Sequence, residues 1–261
     1  MIFITGDKHG DFKSEFDYLK IGAFCEKMGT TKKDTMVVLG DHGVRYYPDR
    51  SYATKQYMKR LEAMPISWVM IHGNHDRRAH TCSDLKKIDV GTGEVRGTFF
   101  VNPDYPSVRF TQEYGAYAFG SVRAFVIGGA YSIDKYYRLV RYAYGNKTAL
   151  WFADEQLSDE EKKDCLKQFK AWKNKLFVNS PGIRYVLLSH TCPLSVQPHE
   201  AFLPNVPHIV ADTAMEEFLD SIYTDEHLMQ HIDRWYCGHY HTDKRIDRVQ
   251  FMYHDIDLLS D

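Results

Sequence analysis

Residues 1–10 read MIFITGDKHG, and this stretch contains the pattern that decides the fold. A short apolar run, 1–5, stops abruptly at a glycine that is followed by charged and imidazole side chains. Runs of this length that are apolar on both faces are typical of the central strands of a parallel sheet. We therefore predict a buried strand whose carboxyl end is followed by Asp7 and His9.

The same pattern recurs along the chain. Four more short apolar runs are each followed at once by polar residues: 35–39, 67–71, 184–188 and 233–237. A sixth run, 123–127, ends at a pair of glycines. Apolar residues at helical spacing predict helices between the runs, over 12–28, 52–64, 158–177 and 213–232. Strands that alternate with helices predict an α/β fold with a largely parallel sheet.

The composition is that of an ordinary globular protein of 261 residues. Hydrophobic residues make up 44% and charged residues 26%, which excludes a disordered chain. The formal net charge of −2 gives no sign of a surface for nucleic acid or anionic membrane. We see no signal peptide and no run near the roughly 18 apolar residues that span a bilayer. We expect residues 1–261 to form one domain, because no repeat or linker interrupts them.

The cysteines bear on the redox compartment. They are scattered and never form a Cys-x-x-Cys pair: Cys25, Cys82, Cys165, Cys192 and Cys237. This pattern favours reduced thiols over a disulfide framework or a structural zinc site, and we expect a cytoplasmic protein. Cys192 and Cys237 lie close to histidines in the sequence, but we expect both to be buried small hydrophobic residues and not metal ligands.

Side chains with metal-binding chemistry follow five of the apolar runs. They are carboxylates, imidazoles and one carboxamide: Asp7, His9, Asp41, Asn74, His190, His239 and His241. Ligands of open α/β sheets bind beyond the carboxyl ends of the strands, so we expect this set to meet at one edge. Such ligands suit Mn²⁺, Zn²⁺ or Fe, and they are too many for one ion. They predict two divalent ions about 3.5–4 Å apart. The alternative is that they are ordinary turn residues.

In their order along the chain, these residues resemble the signature of the calcineurin-like metallophosphoesterases. The matching stretches are Asp7-x-His9, Gly40-Asp41, Gly73-Asn74-His75-Asp76, His190 and Gly238-His239-x-His241. The resemblance spans residues 7–241, and within the superfamily the chain is similar to small bacterial and phage phosphatases. It implies a four-layer α/β/β/α sandwich with mixed sheets, in which the metal ligands lie at the carboxyl ends of the strands.

The resemblance also implies a role for each residue. The first metal would have one set of ligands: Asp7, His9 and His241. The second metal would have another: Asn74, His190 and His239. Asp41 would bridge the two ions, His75 would act beside the leaving group, and Asp76 would orient His75. Arg45, at the arginine position of the family, would hold a phosphate oxygen.

One departure separates the chain from the protein phosphatases of the family. Their second motif reads Gly-Asp-x-x-Asp-Arg-Gly, whereas Val44 stands here at the position of the second Asp. The usual carboxylate support for the catalytic histidine is therefore missing from its place. The Asn-His motif ends in Asp76, where the protein phosphatases have Glu. Both differences argue against close kinship with that group.

We therefore predict a metal-dependent phosphoesterase in which a metal-bridging hydroxide attacks phosphorus in line, with Mn²⁺ as the first choice and Zn²⁺ or Fe as alternatives. The expected substrate is a small phosphorylated compound such as a nucleotide, with no membrane or nucleic-acid partner. The alternatives are a serine/threonine protein phosphatase and a scaffold that kept the fold and lost catalysis. Two Tyr- and Arg-rich segments, 45–52 and 131–144, fit either a nucleotide-recognising rim or loop packing.

Overall fold

The computed structural model describes residues 1–10, 18–91, 93–176, 181–202 and 211–261. The strands in these residues are β1 (Ile2–Thr5), β2 (Thr35–Val38), β3 (Ser67–Met70), β4 (Lys86–Val90), β5 (Val95–Val101), β6 (Val108–Thr111), β7 (Tyr114–Phe119), β8 (Val122–Ile127), β9 (Arg184–Ser189), β10 (Arg234–Cys237), β11 (Lys244–Ile246), β12 (Val249–Phe251) and β13 (Asp257–Ser260). The helices are α1 (Tyr18–Met28), α2 (Tyr52–Ala63), α3 (Lys135–Ala143), α4 (Asp159–Lys173), α5 (Ala214–Tyr223) and α6 (Glu226–Met229).

The strands form one curled, mixed sheet in the order β11-β12-β10-β9-β8-β7-β5-β6-β3-β2-β1-β13, and β4 pairs with β5 beside this path. All six predicted apolar runs are strands, each within one residue of its predicted bounds. They lie in two parallel parts of the sheet, which contain β1, β2 and β3 on one side and β8, β9 and β10 on the other. β5 joins the two parts, because one end of it pairs with β6 and the other with β7.

Alternation along the strands builds the layers. Successive side chains of a strand point to opposite faces. In β1, Ile4 belongs to the core shared by both parts of the sheet, whereas Phe3 packs with residues of α1 and α2. In β8, Val126 belongs to the shared core, whereas Phe125 packs with residues of α4 and α5. The two parts of the sheet therefore face each other between helical layers, and the predicted α/β/β/α sandwich is confirmed.

The helix predictions are confirmed with three changes. Helix α4 ends at Lys173, short of the predicted end at 177, and residue 177 lies outside the described residues. Helix α1 begins at Tyr18 among the described residues, and 12–17 of the predicted span lie outside them. The predicted helix over 213–232 is two helices, α5 and α6, because the Asp225 carboxylate caps α6 by accepting the Leu228 N–H at 3.0 Å. The capping box predicted at Ser158 and Glu161 is present at the start of α4.

The sequence patterns do not predict the strands β4–β7 or the helix α3. β4 is almost entirely exposed and β5 is only half-buried, so neither has a continuous apolar run. α3 has no buried residue, so no core-facing stripe indicates it. All five elements lie in the long segment between the third and fourth motifs.

All five cysteines are buried, and none forms a disulfide. Burial raises the pKa of the Cys165, Cys192 and Cys237 thiols, which disfavours the thiolate form that binds metal. This supports the prediction that Cys192 and Cys237 are hydrophobic core residues. Among the described residues, no helix has the length and apolar character needed to cross a membrane.

Candidate metal centre

The loops that follow the parallel strands are tied together by their backbones. After β1, the N–H groups of Lys8 and His9 donate to the Asp41 carbonyl, which follows β2, at 3.1 and 2.7 Å. After β10, the Gly238 N–H donates to the carbonyl of His190, which follows β9, at 2.9 Å. These bonds fix the spacing of the loops that contain the predicted ligands.

The two carboxylates lie at the middle of this arrangement. Asp7 Oδ2 accepts the His239 N–H at 2.8 Å, and Asp41 Oδ1 accepts the His75 N–H at 2.8 Å. Both side chains are buried. Burial by itself would raise the pKa of Asp41, but the His75, His190 and His9 imidazoles lower it well below its usual value. The Asp41 carboxylate is therefore ionised among histidines.

The predicted ligand atoms converge. In the described part of the chain, two sets of ligand atoms each lie within 4.8 Å of one another: Asp7, His9 and His241, and Asp7, Asp41 and His190. The other two predicted ligands adjoin these sets. Asn74 Oδ1 lies 2.8 Å from His190 Nε2, and the ring centroids of His190 and His239 are 5.0 Å apart. The structure thus brings all seven predicted side chains to one edge of the sheet.

The arrangement fits a divalent metal site. Asp7 Oδ1 is buried and has no hydrogen-bond partner among the described residues, which is costly for a charged group. Nε2 of His9 and Nε2 of His241 lie 2.9 Å apart, so two nitrogens that can bind a metal meet at one place. A cation at this place would satisfy both features. Asp7 is the carboxylate common to both sets, and bridging by Asp41 stays a prediction.

Strained backbone presents several of the ligands. His9, Asp41, His239 and His241 have φ between 42° and 69°, a region that non-glycine residues rarely adopt. Such residues persist where the surrounding structure holds them, and they cluster at functional sites. The four residues follow β1, β2 and β10 directly, so the strain lies at the ligand edge of the sheet.

Two glycines allow the close packing of this edge. A Cβ on Gly40 would lie 2.2 Å from Nδ1 of His190. A Cβ on Gly73 would lie 2.2 Å from Oδ1 of Asp41. Larger residues at either position would displace a predicted ligand, which explains why glycine precedes Asp41 and Asn74.

The orientation of Asn74 is set by residues that the motifs do not include. Its Nδ2 donates to Ser132 Oγ at 2.9 Å, and Ser132 Oγ donates to the buried carboxylate of Glu155. This leaves Asn74 Oδ1 directed toward His190. Ser132 follows β8, the sixth predicted strand, and this predicts that it lies at the same sheet edge as Asn74. No other sequence pattern indicated the contact between Ser132 and Asn74. Glu155 lies on a loop, and no sequence pattern indicated its role.

His75 lies at the junction of three groups. Its Nε2 is 3.3 Å from Nη2 of Arg138, 3.4 Å from Nδ2 of Asn74 and 4.0 Å from Oδ2 of Asp41. Burial lowers the pKa of His75 below its usual value; Asp41 opposes this effect and Arg138 adds to it. Arg138 on α3 is held by Asp134, whose Oδ2 accepts its Nε–H at 2.6 Å. The sequence analysis included Arg138 in the Tyr- and Arg-rich segment 131–144 but did not assign it a role at the site.

Asp76 does not orient His75, which corrects the prediction made for it. Its carboxylate accepts the backbone N–H groups of His42, Gly43 and Gly73 at 3.0–3.2 Å, and its Oδ1 lies 3.1 Å from His42 Nδ1. The side chain is fully buried. Asp76 therefore ties the loop after β2 to the loop after β3 and acts on the shape of the site, because these loops contain Asp41 and His75.

Arg45 does not reach the site, which corrects a second prediction. Its side chain is 0% exposed, and its Nη1 donates to both carboxylate oxygens of Asp84 at 2.9 and 3.0 Å. Its guanidinium also lies 4.8 Å from the ring centroid of Phe110. A phosphate oxygen has no access to this group. Val44 beside it packs in the core with α1 and α2.

A cavity of about 380 Å³ opens beside the ligands, and we call it the main cavity. Its walls include predicted ligands and His75, together with aromatic and aliphatic side chains: Tyr131, Ile133, Phe202 and Tyr240. The rings of Phe202 and Tyr240 stack with centroids 5.9 Å apart. The volume falls in the range of cavities that bind small molecules.

The fold and this edge define an α/β sandwich with a candidate metal site of carboxylate and imidazole side chains. Residues 1–194 match the family described as calcineurin-like phosphoesterase, and the chain belongs to this family. No curated protein matches it. Among solved structures, it is similar to GAP50, described as the anchor in the inner membrane complex of Plasmodium (12% identity, 96% of this chain and 70% of that chain, TM-score 0.46). It is also similar to phosphopantetheinyl hydrolase from Mycobacterium tuberculosis (13% identity, 96% and 87%, TM-score 0.42).

Replacing Arg45 tests its structural role. We expect Arg45→Met to lower the free energy of unfolding by about 3 kcal/mol, because Asp84 loses its buried charge partner. Urea denaturation measures this, with Arg50→Met, an exposed arginine of the same loop, as the control. The KM for 4-nitrophenyl phosphate should stay near that of the unchanged protein. If Arg45→Met kept full stability and had a strongly raised KM, Arg45 would bind the substrate and the structural role would be wrong.

Replacing Ser132 tests the orientation of Asn74. We expect Ser132→Ala to weaken the binding of Mn²⁺ about tenfold or more, since groups that orient metal ligands contribute this much. Calorimetric titration of the metal-depleted protein measures the effect. The control is Ser221→Ala, an exposed serine on α5. Equal Mn²⁺ affinity in both variants would show that Asn74 needs no support from Ser132.

Proposed function

We propose that the protein is a metal-dependent phosphoesterase that hydrolyses phosphate esters of small compounds, nucleotides among them. The observation that carries the proposal is the convergence of five carboxylate and imidazole side chains in two sets that share Asp7, whose Oδ1 is buried and unsatisfied. Asn74 and His239 lie beside His190 at the edge of these sets. Membership of the calcineurin-like phosphoesterase family supports the same reaction class.

We further propose that the centre holds two divalent ions, with Mn²⁺ as the first choice. Two overlapping sets of ligand atoms, with Asn74 and His239 beside them, offer more donors than one ion usually takes. Two divalent ions would polarise a phosphoryl oxygen and lower the pKa of water toward neutrality. Asp7 and Asp41 offset only half of the positive charge of such a pair, so the site would attract a phosphate.

The side chains around the centre have separate tasks. His75 lines the main cavity together with His9 and Asp41, so its imidazole is placed to protonate the leaving oxygen. Arg138 lines the same cavity and supplies a fixed positive charge. The aromatic walls exclude water from the organic part of the substrate. Flat rings such as those of Phe202 and Tyr240 suit a nucleobase, which supports the nucleotide as a candidate.

A panel of substrates tests the function. The metal-depleted protein would be reloaded with Mn²⁺, Zn²⁺ or Fe²⁺, and its bound metal would be counted. It would then be assayed on nucleotides, 4-nitrophenyl phosphate and phosphoserine peptides. We expect hydrolysis of the small esters. A clear preference for phosphopeptides would favour a protein phosphatase, and a metal-loaded protein that hydrolyses none of them would favour a scaffold.

Paired variants test which carboxylate bridges. We expect Asp41→Asn to lower the bound metal from two ions toward none, because a shared ligand serves both. Asp7→Asn should retain one ion. Elemental analysis after dialysis measures the stoichiometry of both variants. The opposite result, with both ions lost only in Asp7→Asn, would assign the bridge to Asp7.

The His75→Ala variant tests the proton donor. We expect kcat to fall about 10²- to 10³-fold while two metal ions remain bound, because general acid catalysis contributes in this range. Steady-state kinetics and metal analysis of the same preparation give both values. His80→Ala is the matched control, since His80 is exposed and pairs with Glu113. An unchanged kcat in His75→Ala would show that His75 is not the proton donor.

A further inference from the structure

A second cavity adjoins the candidate metal centre. It measures about 180 Å³, and three of its lining residues are shared with the main cavity: His9, His75 and Arg138. Its remaining walls include three tyrosines, Tyr46, Tyr47 and Tyr57. We call it the tyrosine cavity. The shared residues are a predicted metal ligand, the predicted proton donor and a cation, so the two cavities meet where the reaction is proposed to occur.

The tyrosine cavity has a fixed wall. The Tyr46 hydroxyl donates to the Thr148 carbonyl at 2.6 Å and accepts the Leu150 N–H at 2.8 Å. It also accepts a hydrogen bond from Nη1 of Arg138 at 2.9 Å. The rings of Tyr46 and Tyr47 pack edge to face with centroids 5.1 Å apart. At roughly 30 Å³ per water molecule, the cavity has room for about six waters or one small organic group.

Arg138 lies between the cavities in a defined orientation. Asp134 holds its Nε and Tyr46 holds its Nη1, which directs Nη2 toward Nε2 of His75 at 3.3 Å. A guanidinium fixed in this way suits two oxygens of one phosphate. Its charge is already paired with the Asp134 carboxylate, which also lines the main cavity.

We propose that the tyrosine cavity is a second substrate subsite and that the enzyme prefers phosphodiesters over phosphomonoesters. The proposal rests on the proposed function. One ester group would lie in the main cavity and the other in the tyrosine cavity, with the phosphate beside Arg138. A diester has two organic groups, and the two cavities that meet at His9, His75 and Arg138 offer a place for each. A monoester has one group and would leave a cavity to water.

The reaction balances as a hydrolysis. A water oxygen forms a new bond to phosphorus, and the bond from phosphorus to one ester oxygen breaks. The leaving oxygen takes a proton from His75, and the proton that the attacking water releases replaces it, so one water molecule is consumed in total. The products are a phosphomonoester and an alcohol, and no oxidant or other co-reactant is needed.

Two chromogenic esters test the preference on the Mn²⁺-loaded protein. We expect kcat/KM for bis(4-nitrophenyl) phosphate to exceed that for 4-nitrophenyl phosphate at least about tenfold, the discrimination that one filled pocket provides. Tyr47→Ala should lower this ratio about fivefold, because it removes an aromatic wall of the tyrosine cavity. Tyr52→Ala, which removes an exposed tyrosine nearby, should leave the ratio unchanged.

A binding measurement accompanies the kinetics. Calorimetry on the metal-loaded His75→Ala variant, which turns over slowly, would compare diphenyl phosphate with phenyl phosphate. We expect the diester to bind more tightly, and adding Tyr47→Ala to that variant should reduce the difference. Arg138→Met should lower kcat/KM for both esters about 10- to 100-fold, because it removes a charged hydrogen bond to the phosphate they share. Arg141→Met on the same helix is the control.

The outcomes separate the two proposals. If neither ester is hydrolysed by protein with its metal bound, the proposed function fails. If the monoester is hydrolysed as well as the diester, and Tyr47→Ala leaves the ratio unchanged, the second subsite is refuted while the phosphoesterase stands.

Discussion

Two buried carboxylates impose the constraint on which the rest of the site depends. Asp7 and Asp41 follow neighbouring parallel strands, β1 and β2, whose last residues Thr5 and Val38 are paired in register. A carboxylate without solvent is costly unless donors or cations surround it. Each accepts a backbone N–H from a loop that contains ligands, and the imidazoles enclose both. The loops after five strands are therefore arranged around these two charges.

The parallel part of the fold was predictable because its signal is local. A strand that is buried on both faces is apolar throughout, so a short apolar run predicts it. The chain turns where the strand ends at the sheet edge, so polar and glycine residues follow the run directly. Each strand and its loop are therefore recognisable from a short stretch of sequence. β5 lacks such a signal. It is only half-buried, and it pairs with β6 at one end and β7 at the other, so its role follows from its pairing partners and not from a local pattern.

The residues of the site also divide into those with a local sequence signal and those without one. The ligands follow strands directly, so their order along the chain was enough to bring them together. Arg138 is 63 residues from His75, and Arg45 is 39 residues from Asp84. One of these arginines faces the proposed reaction and the other is buried in an ion pair. The difference depends on tertiary contacts, which the sequence around each arginine does not indicate. Motif position assigned the phosphate to Arg45, whereas the structure places Arg138 beside His75.

The two Tyr- and Arg-rich segments are thereby connected. Tyr46, next to the buried Arg45, holds Arg138 through its hydroxyl, so 45–52 acts on the site through a tyrosine and not through its arginine. Asp134 and Arg138 belong to the other segment, at the start of α3 and within it. The sheet edge thus supplies the metal ligands, and the joined segments supply the walls and the cation that face the substrate. A change of substrate could then evolve in α3 and residues 46–57 without moving a strand, because no ligand lies in either.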